Sequence, residues 1–221
     1  MNNLIDYGPQ VLQGLLTTAA LALASVPGAF AIGLCVALLQ LSGSDMLRRI
    51  AKAYVGIFRG VPELLILFFF YYGVPGTLSY LLGSQVEFSN FWIAVLALGA
   101  IAGAYTGEVL RAAVQAIPVG QWEAAAALGL RPALIWLKII VPQAIRLATP
   151  PLGNVLLVLI KDTALASAIG AEELMRKSSI ASGSTRSPFL FFGTAALIYL
   201  AVTIPILLWQ ERVEARQAAA T

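Results

Sequence analysis

The sequence predicts an all-α, polytopic membrane protein whose chain crosses the bilayer as five apolar helices. Three observations carry that prediction. Hydrophobic residues make up 59% and charged residues 11% of the 221 positions, against about 25% charge in a soluble domain. Mean hydropathy is +0.85. From Tyr7 to Ser44 there is no charged residue, a run longer than the roughly 20 residues that a span needs.

The first span has a lead-in near Gly8-Pro9, and Pro27-Gly28 is the place where it is expected to bend. The N-terminus, Met-Asn-Asn-Leu-Ile-Asp, lacks a basic segment and an early cleavage pattern, so it is expected to be retained. The second span fits Tyr54–Leu82, rich in Leu and Phe, with Tyr71-Tyr72 placed for an aromatic belt and Val74-Pro75-Gly76 ending or kinking it. The third fits Phe91 to about Ala113, with Glu108 near its inner end. The fourth, Leu147–Ile160, is short, follows Arg146 directly, and is interrupted by Pro142, Pro150 and Pro151. In lipid such a broken segment survives only where other protein covers its unpaired backbone groups. It is therefore expected inside a bundle, beside a pathway. Residues 161–188 read as an exterior loop with a short helix, and Phe189–Gln210 as the fifth span before a polar tail. The whole of 1–221 reads as one transmembrane domain, without linkers or an internal repeat.

Charge decides the orientation. With the N-terminus outside, Arg48, Arg49, Lys52, Arg59, Arg111, Arg131, Lys138, Arg146, Arg212 and Arg216 fall inside, while Lys161, Arg176, Lys177 and Arg186 fall outside. Ten basic residues against four predict N-out, C-in. A five-helix bundle has little room for a lined conduit, so a partner subunit is expected.

Composition also removes function classes. Without histidine the chain lacks the commonest metal ligand and the usual general base, so no metal site and no catalytic residue is expected. The single cysteine, Cys35, lies in an apolar run and reads as a small buried hydrophobe. An intramembrane enzyme would need a nucleophile–base pair or a metal set that these residues do not supply. There is no G-x-x-x-x-G-K-[ST] loop to hold nucleotide, and nothing points to nucleic acid.

Between the third and fourth spans, Glu123–Leu130 is a good helix former whose acid, placed in the first turn, suits the helix dipole. Gly129 is placed to end that helix, and Pro132 bars easy continuation. Taken alone, the segment reads equally as an ordinary surface helix or as a compact knob that another protein grips.

Its wording is more specific. Glu123-Ala-Ala-Ala, Gly129, then Ile-Ile-Val-Pro142 stand in order with Arg59-Gly-Val-Pro-Glu-Leu, Gly103-Ala-Tyr-Thr-Gly-Glu-Val-Leu-Arg111, Ile117-Pro-Val-Gly-Gln-Trp-Glu123, Pro142-Gln-Ala-Ile-Arg146, Pro151-Leu-Gly-Asn154 and Lys161-Asp-Thr. This series, over roughly residues 8–212, resembles the permeases of ABC importers, in the polar amino acid branch that takes histidine, glutamine, arginine and related solutes. The resemblance implies the type I importer transmembrane domain, with a cytoplasmic coupling loop at about 118–138. It implies a dimer of ATP-binding subunits carrying ATP and Mg, a second permease subunit, and an extracytoplasmic solute-binding protein. No cofactor is expected in this chain. Glu123 would face a basic residue of the ATPase, Ala124, Ala125 and Ala126 would permit close helix approach, Gly129 would let the chain turn, and Pro142 closes the motif.

For the solute path, Asn154 on the interrupted fourth span is the first candidate, because broken helices expose backbone groups suited to an amino acid; Tyr105 and Gln143 are further candidates. Lys161-Asp162 is a candidate outer gate. Glu108 and Arg111, three apart, can pair on one helix face, and Glu63 can satisfy Arg59. Some relatives in the family it resembles that take cationic amino acids carry an acid directly after the Gly-Asn pair, where this chain has Val155; that favours a neutral or acidic solute, or a heterodimer whose other permease binds. The rival function is an ion-coupled secondary carrier using Glu63 or Glu108, against which stand the low helix count and the missing repeat.

Overall fold

The computed structural model describes residues 2–84 and 88–218 of the chain. The elements in order are α1 (Asn2–Leu41), α2 (Asp45–Gly60), α3 (Glu63–Leu82), α4 (Asn90–Gln115), α5 (Val119–Ala127), α6 (Pro132–Ile135), α7 (Val141–Asp162), α8 (Leu174–Thr185) and α9 (Pro188–Ala218). A wide π-turn, Trp136–Ile140, joins α6 to α7, and a 3₁₀ segment, Thr163–Ile169, follows α7. Among the described residues, five stretches are long and apolar enough to cross a membrane: Asp6–Leu41, Glu63–Leu82, Asn90–Gln115, Pro132–Ile169 and Pro188–Gln217.

α4 is the hub. In its most apolar stretch 72% of residues are buried, against 11% in α3 and 17% in α9, which therefore turn most of their surface to lipid or to a partner. α4 packs against α1 through a glycine seam. A Cβ on Gly103 would come within 2.7 Å of the Ile32 side chain, and one on Gly107 within 2.6 Å of Val36. Real carbons do not approach so closely, so both positions need glycine for the two backbones to meet.

The second span is shorter than the sequence suggests. Val61 is extended (φ −97°, ψ 136°), as the residue before a proline must tend to be, and this splits Tyr54–Leu82 between α2 and α3. Only α3 is a span, and it runs through Pro75 to Leu82 without ending there. α2 is amphipathic. It buries Ala51 and Val55 against Val36 of α1, and the Tyr54 hydroxyl donates to the Ala100 carbonyl of α4 at 2.7 Å. Burial pushes that phenol up to about 12.

α7 also departs from expectation, because it is one continuous helix through Pro150 and Pro151. Pro150 has no N–H to give the Arg146 carbonyl one turn back. That oxygen instead accepts a 2.7 Å hydrogen bond from the Gln217 amide of α9. The freed backbone group is thus met by a side chain of another helix, without a break in α7. Cys35 is likewise corrected: it is exposed on α1 rather than buried, because the periodicity of α1 turns Val36 and Ala37 inward instead.

At the far end, the expected short helix after Asp162 is α8. Its N-cap Glu173 is fully buried and accepts from the backbone of Met175 (2.8 Å) and Arg176 (2.7 Å), and from the Tyr199 hydroxyl of α9 (3.2 Å). Thr18 of α1 accepts from the Leu174 backbone at 3.1 Å. One cap thus ties α1, α8 and α9 together. Burial outweighs these hydrogen bonds and holds the Glu173 carboxyl above its ordinary range.

Candidate functional site

The facing sides of α4 and α7 enclose a cavity of about 170 Å³. Its α7 wall presents Asn154, Val158 and Asp162, each four residues from the next, and its α4 wall presents Ile101 and Tyr105 at the same spacing. Residues four apart share one helix face, so both walls follow from local helix geometry. The fold therefore brings together three residues chosen from the sequence: Asn154, Tyr105 and Asp162.

It separates the other two. Gln143 lies toward the opposite end of α7, beside Arg146, and donates to the Ile139 carbonyl at 2.8 Å. Lys161 faces a different hollow, with Met175, Phe192 and Tyr199. Adjacent residues on a helix point about 100° apart, so Lys161 and Asp162 serve different surfaces and do not act as one pair.

Charge gathers around Tyr105. The Arg59 guanidinium lies 5.2 Å from its ring centroid, within cation–π range. Glu63 stands near enough for its charge to bear on both Tyr105 and Asp162. Arg59 pairs not with Glu63 but, at 3.9 Å, with Glu108. Glu108 is held more firmly by Arg111 (2.7 Å), as its three-residue spacing suggests, and by Gln40 of α1 (2.8 Å). This network joins α1, α2 and α4. The link of Arg59 to Tyr105 and Glu108 has no local sequence signal, since its partners lie more than forty positions away.

The loop between α4 and α7 is compact. α5 begins at Val119, so Glu123 stands one turn inside the helix and not in its first turn. Ala125 is buried with Ile117, Ile135 and Ile140, while Glu123, Ala124 and Ala126 are exposed. Trp122 meets Trp136 edge to face at 5.1 Å. Gly129 takes a left-handed conformation (φ +71°) and donates to the Ala126 carbonyl, while Leu130 donates to that of Ala125. This Schellman arrangement ends the helix. Pro132 then opens α6 at its first position, where proline is tolerated, and Pro142 stands exposed at the foot of α7.

Residues 29–218 match the family described as the inner membrane component of binding-protein-dependent transport systems. The chain belongs to this family. The permease is 39% identical to the arginine ABC transporter permease protein ArtQ of Haemophilus influenzae, over 90% of this chain and 89% of that one. It is 40% identical to the octopine transport system permease protein OccQ of Rhizobium radiobacter, over 91% and 90%. A solved amino acid ABC transporter, crystallised with histidines, superposes with a TM-score of 0.85 at 31% identity and 96% coverage of both chains. The inward-facing MetNI methionine ABC transporter, at 23% identity and a TM-score of 0.75, shares the fold. The permease is thus a multi-pass inner membrane subunit of an amino acid ABC importer, a transport component and not a secondary carrier.

Proposed function

We propose that this permease carries an amino acid with a cationic side chain, arginine first, along the face of α4 and α7 that holds Tyr105, Asn154 and Asp162. The observation that carries this reading is the meeting of those three groups at one cavity. Val155 brings no acid after the Gly-Asn pair, which favoured a neutral or acidic solute, but Asp162 lines the same cavity and the charge of Glu63 bears on it. A carboxylate in the cavity wall suits a guanidinium, and the Arg59 guanidinium against Tyr105 shows that this ring accepts such a partner. Asn154 supplies both a donor and an acceptor for the amino acid's backbone groups. The named relatives for arginine and octopine agree in class.

Motion comes from elsewhere. ATP and Mg are bound by a dimer of partner ATPase subunits, and a solute-binding protein delivers the cargo to the outer face. A second permease subunit faces this one across the path, and the N-terminus lies outside. The exposed residues Glu123, Ala124 and Ala126 form the surface of α5 that the ATPase grips. Gly129 and Pro142 frame that surface, and Ala125 anchors it from beneath.

The test is uptake into proteoliposomes holding the full transporter, loaded with ATP, with ion gradients collapsed. Arginine should enter faster than glutamine, and glutamate should not enter. Asp162→Asn should raise KM for arginine at least tenfold while leaving glutamine uptake within about twofold. Preference for glutamate, or an unchanged KM, would overturn the assignment.

A further inference from the structure

A second cavity, about 650 Å³, opens at the end of the bundle nearest α5, between the joint that follows α4, the first turns of α7 and the end of α9. Two matching triplets wall it. Gln143, Arg146 and Leu147 stand at positions i, i+3 and i+4 of α7, and Val213, Arg216 and Gln217 stand at the same positions of α9, so each triplet shares one helix face. Ala116, Ile117 and Pro118, where α4 gives way to α5, complete the lining. The Gln217–Arg146 hydrogen bond clasps the two walls together.

Two properties define what fits. The first is charge: among the described residues, neither Arg146 nor Arg216 has a carboxylate within ion-pair distance. The second is depth. Arg146 directly precedes the apolar run Leu147–Ile160, and Arg216 lies six residues beyond Gln210, where the last apolar run ends. At 1.5 Å per residue that is about 9 Å, the level of lipid headgroups beyond a hydrocarbon core of about 30 Å. Apolar Leu147 and Val213, one position inward of Arg146 and three inward of Arg216, continue the lining toward the core. A small soluble anion has no use for that apolar side, whereas a phospholipid places phosphate and acyl chain on the two kinds of surface at once.

We propose that this cavity binds the phosphodiester headgroup of an anionic phospholipid through Arg146 and Arg216, beside the joint from α4 into α5. The placement on the cytoplasmic leaflet rests on the orientation given under the proposed function; the recognition chemistry does not.

The test is native mass spectrometry of the intact transporter, titrated with phosphatidylglycerol or phosphatidylcholine of identical acyl chains, and with inorganic phosphate. Each arginine is expected to contribute about fivefold to anionic lipid affinity. The double variant R146Q/R216Q should therefore lose at least tenfold in phosphatidylglycerol binding and leave phosphatidylcholine unchanged. R146K/R216K should retain most of the binding, which separates charge from folding. A loss below twofold in R146Q/R216Q overturns the proposal. So does displacement of phosphatidylglycerol by millimolar phosphate, which identifies a soluble-anion site. Arginine uptake by the unmodified transporter, measured in parallel, reports on the transport reading separately, because lipid binding needs no turnover.

Discussion

The Gln217 amide of α9 donates to the Arg146 carbonyl of α7 at 2.7 Å, in the place of the N–H that Pro150 lacks. A side chain from the end of the chain thereby repairs the backbone of another helix.

A double-mutant cycle follows from this relationship. Gln217→Ala should remove this bond and cost about 0.5–1.5 kcal/mol, read as a fall in the thermal midpoint of the purified transporter. Pro150→Ala returns an N–H to the same oxygen. In that background Gln217→Ala should cost less, by about 0.5 kcal/mol or more. Additive losses would show that the bond does not substitute for the missing donor.

The glycine seam makes a second prediction. Gly107→Ala places a carbon 2.6 Å from Val36 Cγ1, and overpacking of this kind costs about 1–3 kcal/mol. Val36→Ala in the same chain should restore part of the lost thermal stability, because it removes Cγ1 but leaves the Val36 Cβ 2.9 Å from the new carbon. If the pair is no more stable than Gly107→Ala alone, the helices are not held apart by this contact.

The two faces of α5 should respond differently to bulk. Ala124→Trp leaves the packing under the loop intact, so the transporter should assemble and keep its thermal midpoint while ATP-driven uptake falls at least tenfold. Ala125 is buried against Ile135 and Ile140, and Ala125→Trp should lower the midpoint itself. Equal effects of the two variants on uptake and midpoint would remove the distinction between a gripped surface and a structural anchor.

Glu173 predicts a dependence on pH. Burial raises its carboxyl in the folded chain from the 4.5 of a free glutamate, so the folded state binds this proton more tightly than the unfolded one. Its unfavourable contribution is present when the group is ionised in both states and is relieved as pH falls through the folded value toward 4.5. The thermal midpoint of the unmodified permease, minus that of Glu173→Gln, should therefore rise between pH 7 and 4.5. A flat or falling difference would contradict the burial argument.

Much of the architecture could be read from the chain because membrane spans are set by length and hydropathy. All five spans, the short helix after Asp162 and the Glu108–Arg111 pair depend on local runs and spacings. The split at Val61-Pro62 was readable too, in a proline that follows the basic, amphipathic stretch of α2. Gly99, Gly103 and Gly107, four apart, likewise mark the α1 seam on one face of α4. The unbroken course of α7 was not readable, because the donor that rescues Pro150 lies 67 positions later. The cavity was legible only as residue types. Asn154 and Asp162 share a face by spacing, but which face meets Tyr105 depends on how α7 rotates against α4. The inward turn of Ala125 depends in the same way on Ile135 and Ile140, which reach it only after the chain has reversed at Gly129.

The continuity of α7 has a mechanical consequence. Its 22 residues form a rod of about 33 Å, rooted in the packing of Ala125 and Ile140 and ending at Asp162. A rod with a hinge at Pro150 would dissipate any torque applied at its foot. A stiff one acts as a lever: a tilt of about 5° at Val141 carries Asp162 through about 3 Å, enough to bring a carboxylate into or out of hydrogen-bonding reach of a solute.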